Sequence, residues 1–195
     1  MPEWMRTSAL HDTKGQLQTF SNDAIQLRPG PELSKLKLQC RPDADIDITA
    51  LEQAVGSKIP RSPQETIGTN PSTFWLAPSE WLITSARINS PVDKHTLHTK
   101  LSEVLKGQTH AINDLSDSLT VIELSGEKSR ELLAEGCGLD LHASYFQTGS
   151  YASIRLFQLP AIIHNINEEP CFRIYVDRSV ALHLWSWFVD GISRT

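Results

Sequence analysis

Between Lys35 and Arg41 the chain alternates strictly, with Leu36, Leu38 and Cys40 on one side and Lys35, Lys37, Gln39 and Arg41 on the other. Period-two alternation places one face of a strand in a core and the other in water. Asp47 to Gly56 follows, where Ile48, Leu51, Ala54 and Val55 recur at helical spacing, Asp47 or Thr49 is placed to cap the start and Gly56 to end it. After a loop carrying Pro60, Pro63, Gly68 and Pro71, two apolar runs, Thr73 to Ala77 and Glu80 to Thr84, are joined by Pro78-Ser79 and predict a hairpin. Ser90-Pro91-Val92-Asp93 combines a cap, a first-turn proline and a first-turn carboxylate, and Leu97, Leu101, Val104 and Leu105 make one stripe before Gly107. The order is strand, helix, hairpin, helix.

The second half repeats it. Leu119 to Leu124 is a β-branched strand running into Ser125-Gly126 and a helix from about Glu127 to Glu135, ended by Gly136 and Gly138. Tyr151 to Phe157, Ala161 to Ile166 and Cys171 to Val176 are three further strands, and Arg178 to Asp190 closes with a helix. Two strand-helix-hairpin-helix units predict an α+β fold with antiparallel or mixed sheets and helices on their outer faces. Residues 1–34, polar and closing on Arg28-Pro29-Gly30-Pro31, read as an irregular arm, residues 35–107 as the first half and 108–195 as the second, packed as one compact unit.

The balance of charges narrows the partners. A net charge of −5 offers no excess of cations for a phosphate backbone, so nucleic acid is not expected. No run approaches the roughly 18 apolar residues of a spanning helix, and Met-Pro-Glu-Trp-Met-Arg lacks the basic and apolar regions of a secretory leader. Cys40, Cys137 and Cys171 form no C-x-x-C pair and read as reduced thiols, so a cytoplasmic location is expected.

Residue constellations for catalysis are thin. Ser125-Gly126-Glu127-Lys128-Ser129 places a glycine, a lysine and a hydroxyl at a helix start, but Val121 stands where a phosphate-binding loop needs its first glycine, so a plain helix start is expected. His95 and His98, three apart on a helix, lack the third ligand a metal requires. Asp140 and His142 could form an orienting pair for Cys137, a thiol flanked by Gly136 and Gly138, or could make only local hydrogen bonds around a structural thiol. Asp114 and Asp117 read as turn formers. The last helix stands apart. Val180, Ala181, Leu182, Leu184, Trp185, Trp187, Phe188 and Val189 cover roughly 220° of its wheel at 100° per residue. One sheet needs a stripe of about 100°. Either this helix is sandwiched inside the fold or it meets another chain, with Trp185 and Trp187 as the anchors in the second case.

Several collinear segments resemble one family. Thr120-Val121-Ile122-Glu123-Leu124-Ser125-Gly126, Glu131-Leu132-Leu133 and Gly136-Cys137-Gly138-Leu139-Asp140-Leu141-His142 are similar to the signature stretch of the gamma subunit of heterotetrameric sarcosine oxidase. Trp75-Leu76-Ala77-Pro78-Ser79-Glu80-Trp81-Leu82-Ile83 resembles that family's L-G-P-D-E-W-L-L hairpin, and Phe172-Arg173-Ile174-Tyr175-Val176, leading to Arg178-Ser179 and the Trp-rich helix, its C-terminal end. The match runs from about Thr73 to Gly191, with a faint echo in Arg6-Thr7-Ser8-Ala9-Leu10; Gly138 and Ala143 replace the family's usual prolines, and Ala77 and Ser79 its Gly and Asp.

The resemblance implies a fold related to the folate-binding domain of aminomethyltransferases. It also implies a non-catalytic subunit packed on the alpha subunit of a complex with beta and delta, which demethylates sarcosine oxidatively to glycine and passes the one-carbon unit to tetrahydrofolate with oxygen as electron acceptor. FAD, FMN, NAD, tetrahydrofolate and zinc would then sit on the other subunits, and this chain would bind none of them. Two alternatives stay open. One is a free-standing folate-binding or one-carbon transfer protein, in which Glu80, Asp114 or Asp140 holds the pterin or activates the amine; the other is a subunit of a related N-methyl amine oxidase.

Overall fold

The computed structural model describes residues 8–11, 18–63, 65–86 and 91–194, with side chains in the last stretch described from residue 96 onward. The Ser90 cap, the side chains of Asp93 and His95 and much of the arm lie outside the described residues. In chain order the elements are β1 (Phe20–Ser21), β2 (Gln26–Pro29), β3 (Leu33–Cys40), α1 (Ile48–Val55), β4 (Thr66–Ile67), β5 (Ser72–Ala77), β6 (Glu80–Ala86), α2 (Pro91–Val104), β7 (His110–Asp114), β8 (Leu119–Ser125), α3 (Ser129–Ala134), β9 (Tyr151–Leu156), β10 (Leu159–Asn167), β11 (Cys171–Asp177) and, after a 3-10 turn at Arg178–Val180, α4 (Ala181–Arg194). They form an α+β fold in two compact units, residues 31–117 and residues 1–30 with 118–195.

In the unit of residues 31–117 the sheet runs β4-β5-β6-β3-β7, with every pairing antiparallel. The alternation of β3 puts Leu36 and Leu38, with Trp81 and Ile83 from β6, against Leu51 and Val55 of α1 and Leu101 of α2 in one core, but Lys35, expected in water, is buried, its Nζ donating to the Leu33 carbonyl at 3.1 Å. Trp81 is buried without leaving its indole N–H unpaired, since Nε1 donates to the Pro60 carbonyl at 2.8 Å. α1 starts where expected, the Asp47 carboxylate accepting the Ala50 N–H at 3.0 Å. β7 was not expected, because its sequence His-Ala-Ile-Asn-Asp alternates weakly and, among the described residues, its outer edge carries no partner strand to demand more.

The other unit is a sheet β1-β2-β8-β11-β10-β9, again antiparallel throughout. One face carries Ile122, Leu124, Phe172, Ile174 and Ile163 against Leu132 and Leu133 of α3 and Leu184 and Phe188 of α4. The arm expected to be irregular supplies the edge of this sheet. Gln26–Pro29 pairs with β8, the Gly30 N–H extends the ladder to the Val121 carbonyl at 2.8 Å, and Leu10, Ile25 and Leu27 are buried in the core. Proline is tolerated there because β2 ends at Pro29, where the missing N–H costs no ladder bond. Burying Ile25 and Leu27 stabilises the folded chain by roughly 1.5–3 kcal/mol each, enough to order a segment of low strand propensity. Gly126 makes the arm's approach possible: at φ 110° a Cβ there would lie 2.2 Å from the Ala24 carbonyl oxygen.

The two units share one strand order. β4-β5-β6-β3 in one matches β9-β10-β11-β8 in the other, with α1 and α3 after the first strand and α2 and α4 after the last. The strand beyond β3 is β7, from within the unit, whereas the strand beyond β8 is β2, from the arm.

Candidate functional site

The groups that sequence offers for catalysis are each held in local bonds. Asp140 accepts the backbone N–H of His142 at 2.9 Å rather than its ring, and the His142 Nδ1 lies 2.7 Å from the Ser144 hydroxyl. The Cys137 thiol points back to the Leu133 carbonyl at 3.4 Å. The pair therefore does not orient a base toward that sulfur. The segment carrying it is tied down instead by Arg130, whose Nη1 donates to the carbonyls of Leu141 and Phe146 while its guanidinium lies 5.2 Å from the Phe172 ring centre.

The Ser129 hydroxyl donates to the Gly126 carbonyl at 2.6 Å, the ordinary closure of a helix start. Glu80 pairs with Lys37 Nζ at 2.7 Å and accepts from Gln39 at 2.7 Å, and Asp114 accepts the Ser116 N–H at 2.9 Å. Thus Glu80, Asp114 and Asp140, the carboxylates considered for a pterin, sit at β6, the end of β7 and the loop after α3, each with a partner of its own. His98 is exposed on α2, and among the described residues no three metal-ligating side chains gather. No helix among them is long and apolar enough to cross a membrane.

α4 separates its two tryptophans. Ala181, Leu184, Trp185, Phe188 and Ile192 form the single stripe that packs on the sheet, and Trp185 is only 4% exposed. Trp185 is therefore a core residue of its own unit, with almost no surface left to offer another chain. Nor is the helix sandwiched: Trp187 is 42% exposed and Leu182 49%. Trp187 stacks on Phe157 at 5.0 Å between ring centres and 15° between planes, and its Nε1 donates to His183 Nε2 at 3.3 Å. Phe157 occupies the β9–β10 turn with φ 47°, followed by Gln158 at φ 67°, left-handed conformations that a bulky residue adopts only at a cost. Its ring offsets that cost by lying between Trp187 and the Gly136 backbone and meeting Phe188 edge-on.

A second feature crosses the opposite face of the same sheet. Arg28, Glu123, Arg173, His164 and Tyr151 are direct cross-strand neighbours on β2, β8, β11, β10 and β9. Glu123, buried, binds Arg28 through Oε2 and Arg173 through Oε1. Burial holds the His164 imidazole down at about 4, and the charge of Arg173 beside it acts in the same direction. Two residues along the strands, Gln26, Ser125 and Cys171 line an open cleft of ≈ 490 Å³ rimmed by Glu127 and Glu169. Burial pushes the Cys171 thiol up, away from reactivity, and the Glu123 carboxylate adds to that. Sequence reasoning missed this row because its members lie 95 and 50 residues apart.

The model of the sarcosine oxidase gamma subunit family matches residues 42–194. The chain belongs to this family. The match begins some thirty residues before Thr73 and takes in both α1 and the β5–β6 hairpin. Among curated members, the sarcosine oxidase subunit gamma of Corynebacterium sp. (strain P-1) is 25% identical over 191 residues, covering 97% of this chain and 90% of that protein. The one from Arthrobacter sp is 24% identical over 194 residues, with coverages of 97% and 90%. Of solved structures, a chain of heterotetrameric sarcosine oxidase from Corynebacterium sp. U-96 in complex with pyrrole 2-carboxylate superposes with a TM-score of 0.78 at 25% identity, covering 90% of this chain and 87% of that one. The glycine cleavage system aminomethyltransferase T of Bartonella henselae shares the fold, with a TM-score of 0.58 at 15% identity over 85% of this chain and 45% of its own.

Proposed function

We propose that this chain is the gamma subunit of a heterotetrameric sarcosine oxidase and serves it as a non-catalytic structural subunit packed on the alpha subunit. The observation that carries the reading is the family match over residues 42–194, which takes in most of both units but not β1, β2 or β3. Two features of the molecule support it. The candidate acids, bases and thiols are bound up in turns and surface pairs. The outer side of α4 meanwhile exposes Trp187 and Leu182 beside a strained turn, and strain of this kind is retained where a surface has work to do. On this reading Trp187 is the anchor on the alpha subunit. The oxidation of sarcosine to glycine, and the FAD, FMN, NAD, tetrahydrofolate and zinc it draws on, belong to alpha, beta and delta, and the complex is cytoplasmic.

The test pairs two measurements on the full chain: calorimetric titration with tetrahydrofolate, and size-exclusion chromatography with and without the cognate alpha subunit. The expected result is no heat with folate and co-elution as a stable complex. Saturable folate binding by the chain alone, without association, would favour a free-standing one-carbon protein and overturn the structural reading.

A further inference from the structure

In the Arg28–Glu123–Arg173 row, Glu123 is the carboxylate paired with both arginines among the described residues. Oε2 of Glu123 takes Nε of Arg28 at 2.9 Å and Nη2 at 2.8 Å, and Oε1 takes Nε of Arg173 at 2.8 Å. One carboxylate thus serves two guanidiniums, and among the described residues no second carboxylate pairs with either. His164, next in the row, is kept neutral by burial and adds no charge at neutral pH. This local excess of one cation stands in a chain whose net charge is −5.

The arrangement also fixes where the cations point. Direct register across three antiparallel strands places both arginines on one face, with Cα atoms about 10 Å apart at the usual strand spacing. The Glu123 side chain is 5% exposed, while those of Arg28 and Arg173 are 57% and 26% exposed. A buried acceptor grips each guanidinium near its Nε and leaves outer N–H groups turned toward solvent, so the entropy of ordering a surface arginine is already lost before anything binds.

We propose that this pair of arginines receives a carboxylate side chain of the alpha subunit when the complex assembles, a contact separate from Trp187 because it lies on the face of the sheet away from α3 and α4. The inference rests on the reading of the chain as an assembling subunit. Charge complementarity selects the occupant. Glu127 and Glu169 on the rim of the neighbouring cleft repel a polyanion, whereas a single carboxylate reaching Arg28 finds an unmatched cation and preset donors.

The test is a binding titration of the full chain against alpha subunit at several salt concentrations, with wild type, Arg28→Ala and Arg28→Lys. Arg28→Ala should weaken association about tenfold and flatten its salt dependence, and Arg28→Lys, which keeps a cation beside Glu123, should fall between. In parallel, wild-type chain free and assembled is treated with an arginine-selective dicarbonyl reagent and mapped by mass spectrometry. Arg28 should be labelled in the free chain and protected in the complex, a readout that depends on no variant. Unchanged affinity and salt slope in both folded variants, or equal labelling of Arg28 in the two states, would overturn the proposal and leave the triad a purely internal brace. Failure of the wild-type chain to bind alpha at all would instead sink the subunit reading, and this contact with it.

Discussion

The two units solve the same topology with different materials. In residues 31–117 the strand beyond β3 is β7, which contributes only the half-buried Ile112 to the core, and the outer side of α2 is wet, with Thr96, His98, Lys100 and Glu103 exposed. In the other unit the strand beyond β8 is β2, whose Leu27 is fully buried, and the outer side of α4 shows Leu182 and Trp187. A shared strand order therefore accounts for where the helices lie but not for what their outer faces carry. An aromatic on the outer face of one helix and not of its counterpart has no role in the common fold, and that contrast is what singles out Trp187.

The comparison breaks most readily at the strands beyond β3 and β8. Leu27→Ala should cost about 3–4 kcal/mol and Ile112→Ala about 1 kcal/mol, read as shifts in the denaturant midpoint, because the first opens a cavity in a closed core and the second trims a half-buried edge. Equal costs would mean that β2 and β7 are equivalent supports.

Acid should weaken the same unit next. His164 titrates near 4 when folded and near 6.5 when unfolded. Between those values the unfolded chain binds a proton that the native chain refuses, so stability falls as pH drops from about 6.5 to 4 and levels off below. The full loss is on the order of 3 kcal/mol. Unfolding midpoints measured across this range should be flatter in His164→Gln; a slope as steep as wild type would assign the acid sensitivity to other groups.

Gly126→Ala comes third, at about 2–3 kcal/mol. Its new methyl group would sit against the Ala24 carbonyl in a backbone conformation that disfavours any side chain, so the arm must shift. Thermal melts should show it. The smallest effect on folding separates the helices. Trp187→Ala should lower stability by about 1 kcal/mol, the worth of one exposed aromatic stack, yet weaken association with alpha markedly, while Lys100→Ala at an exposed position of α2 should leave both unchanged. Loss of stability without loss of association would remove Trp187 from the interface.

Much of this architecture was legible in the sequence where one segment carries its own signal. Asp47 caps α1, Pro78-Ser79 turns the β5–β6 hairpin, and the alternation of Leu36 and Leu38 points into a core as it should. The failures share a cause. β2 reads as polar punctuation because only Ile25 and Leu27 face inward, and their burial is decided by β8, about a hundred residues later. The wheel of α4 is apolar around both tryptophans, and only the packed sheet decides that Trp185 turns in and Trp187 out. Glu123 looks like any strand carboxylate until Arg28 and Arg173 are set on either side of it.

The arm's place beside β8 also orders events during synthesis. Residues 31–117 are contiguous and can complete their sheet while the remainder is still being made, but Gln26–Pro29, made before them, has only the two-residue β1 to pair with until Leu119–Ser125 follows. At roughly 5–20 residues per second that is a wait on the order of 5–20 s, during which Ile25 and Leu27 lack the core that buries them. The same connection that sets β2 beside β8 in the finished unit leaves the nascent chain with two apolar side chains waiting for a distant partner strand.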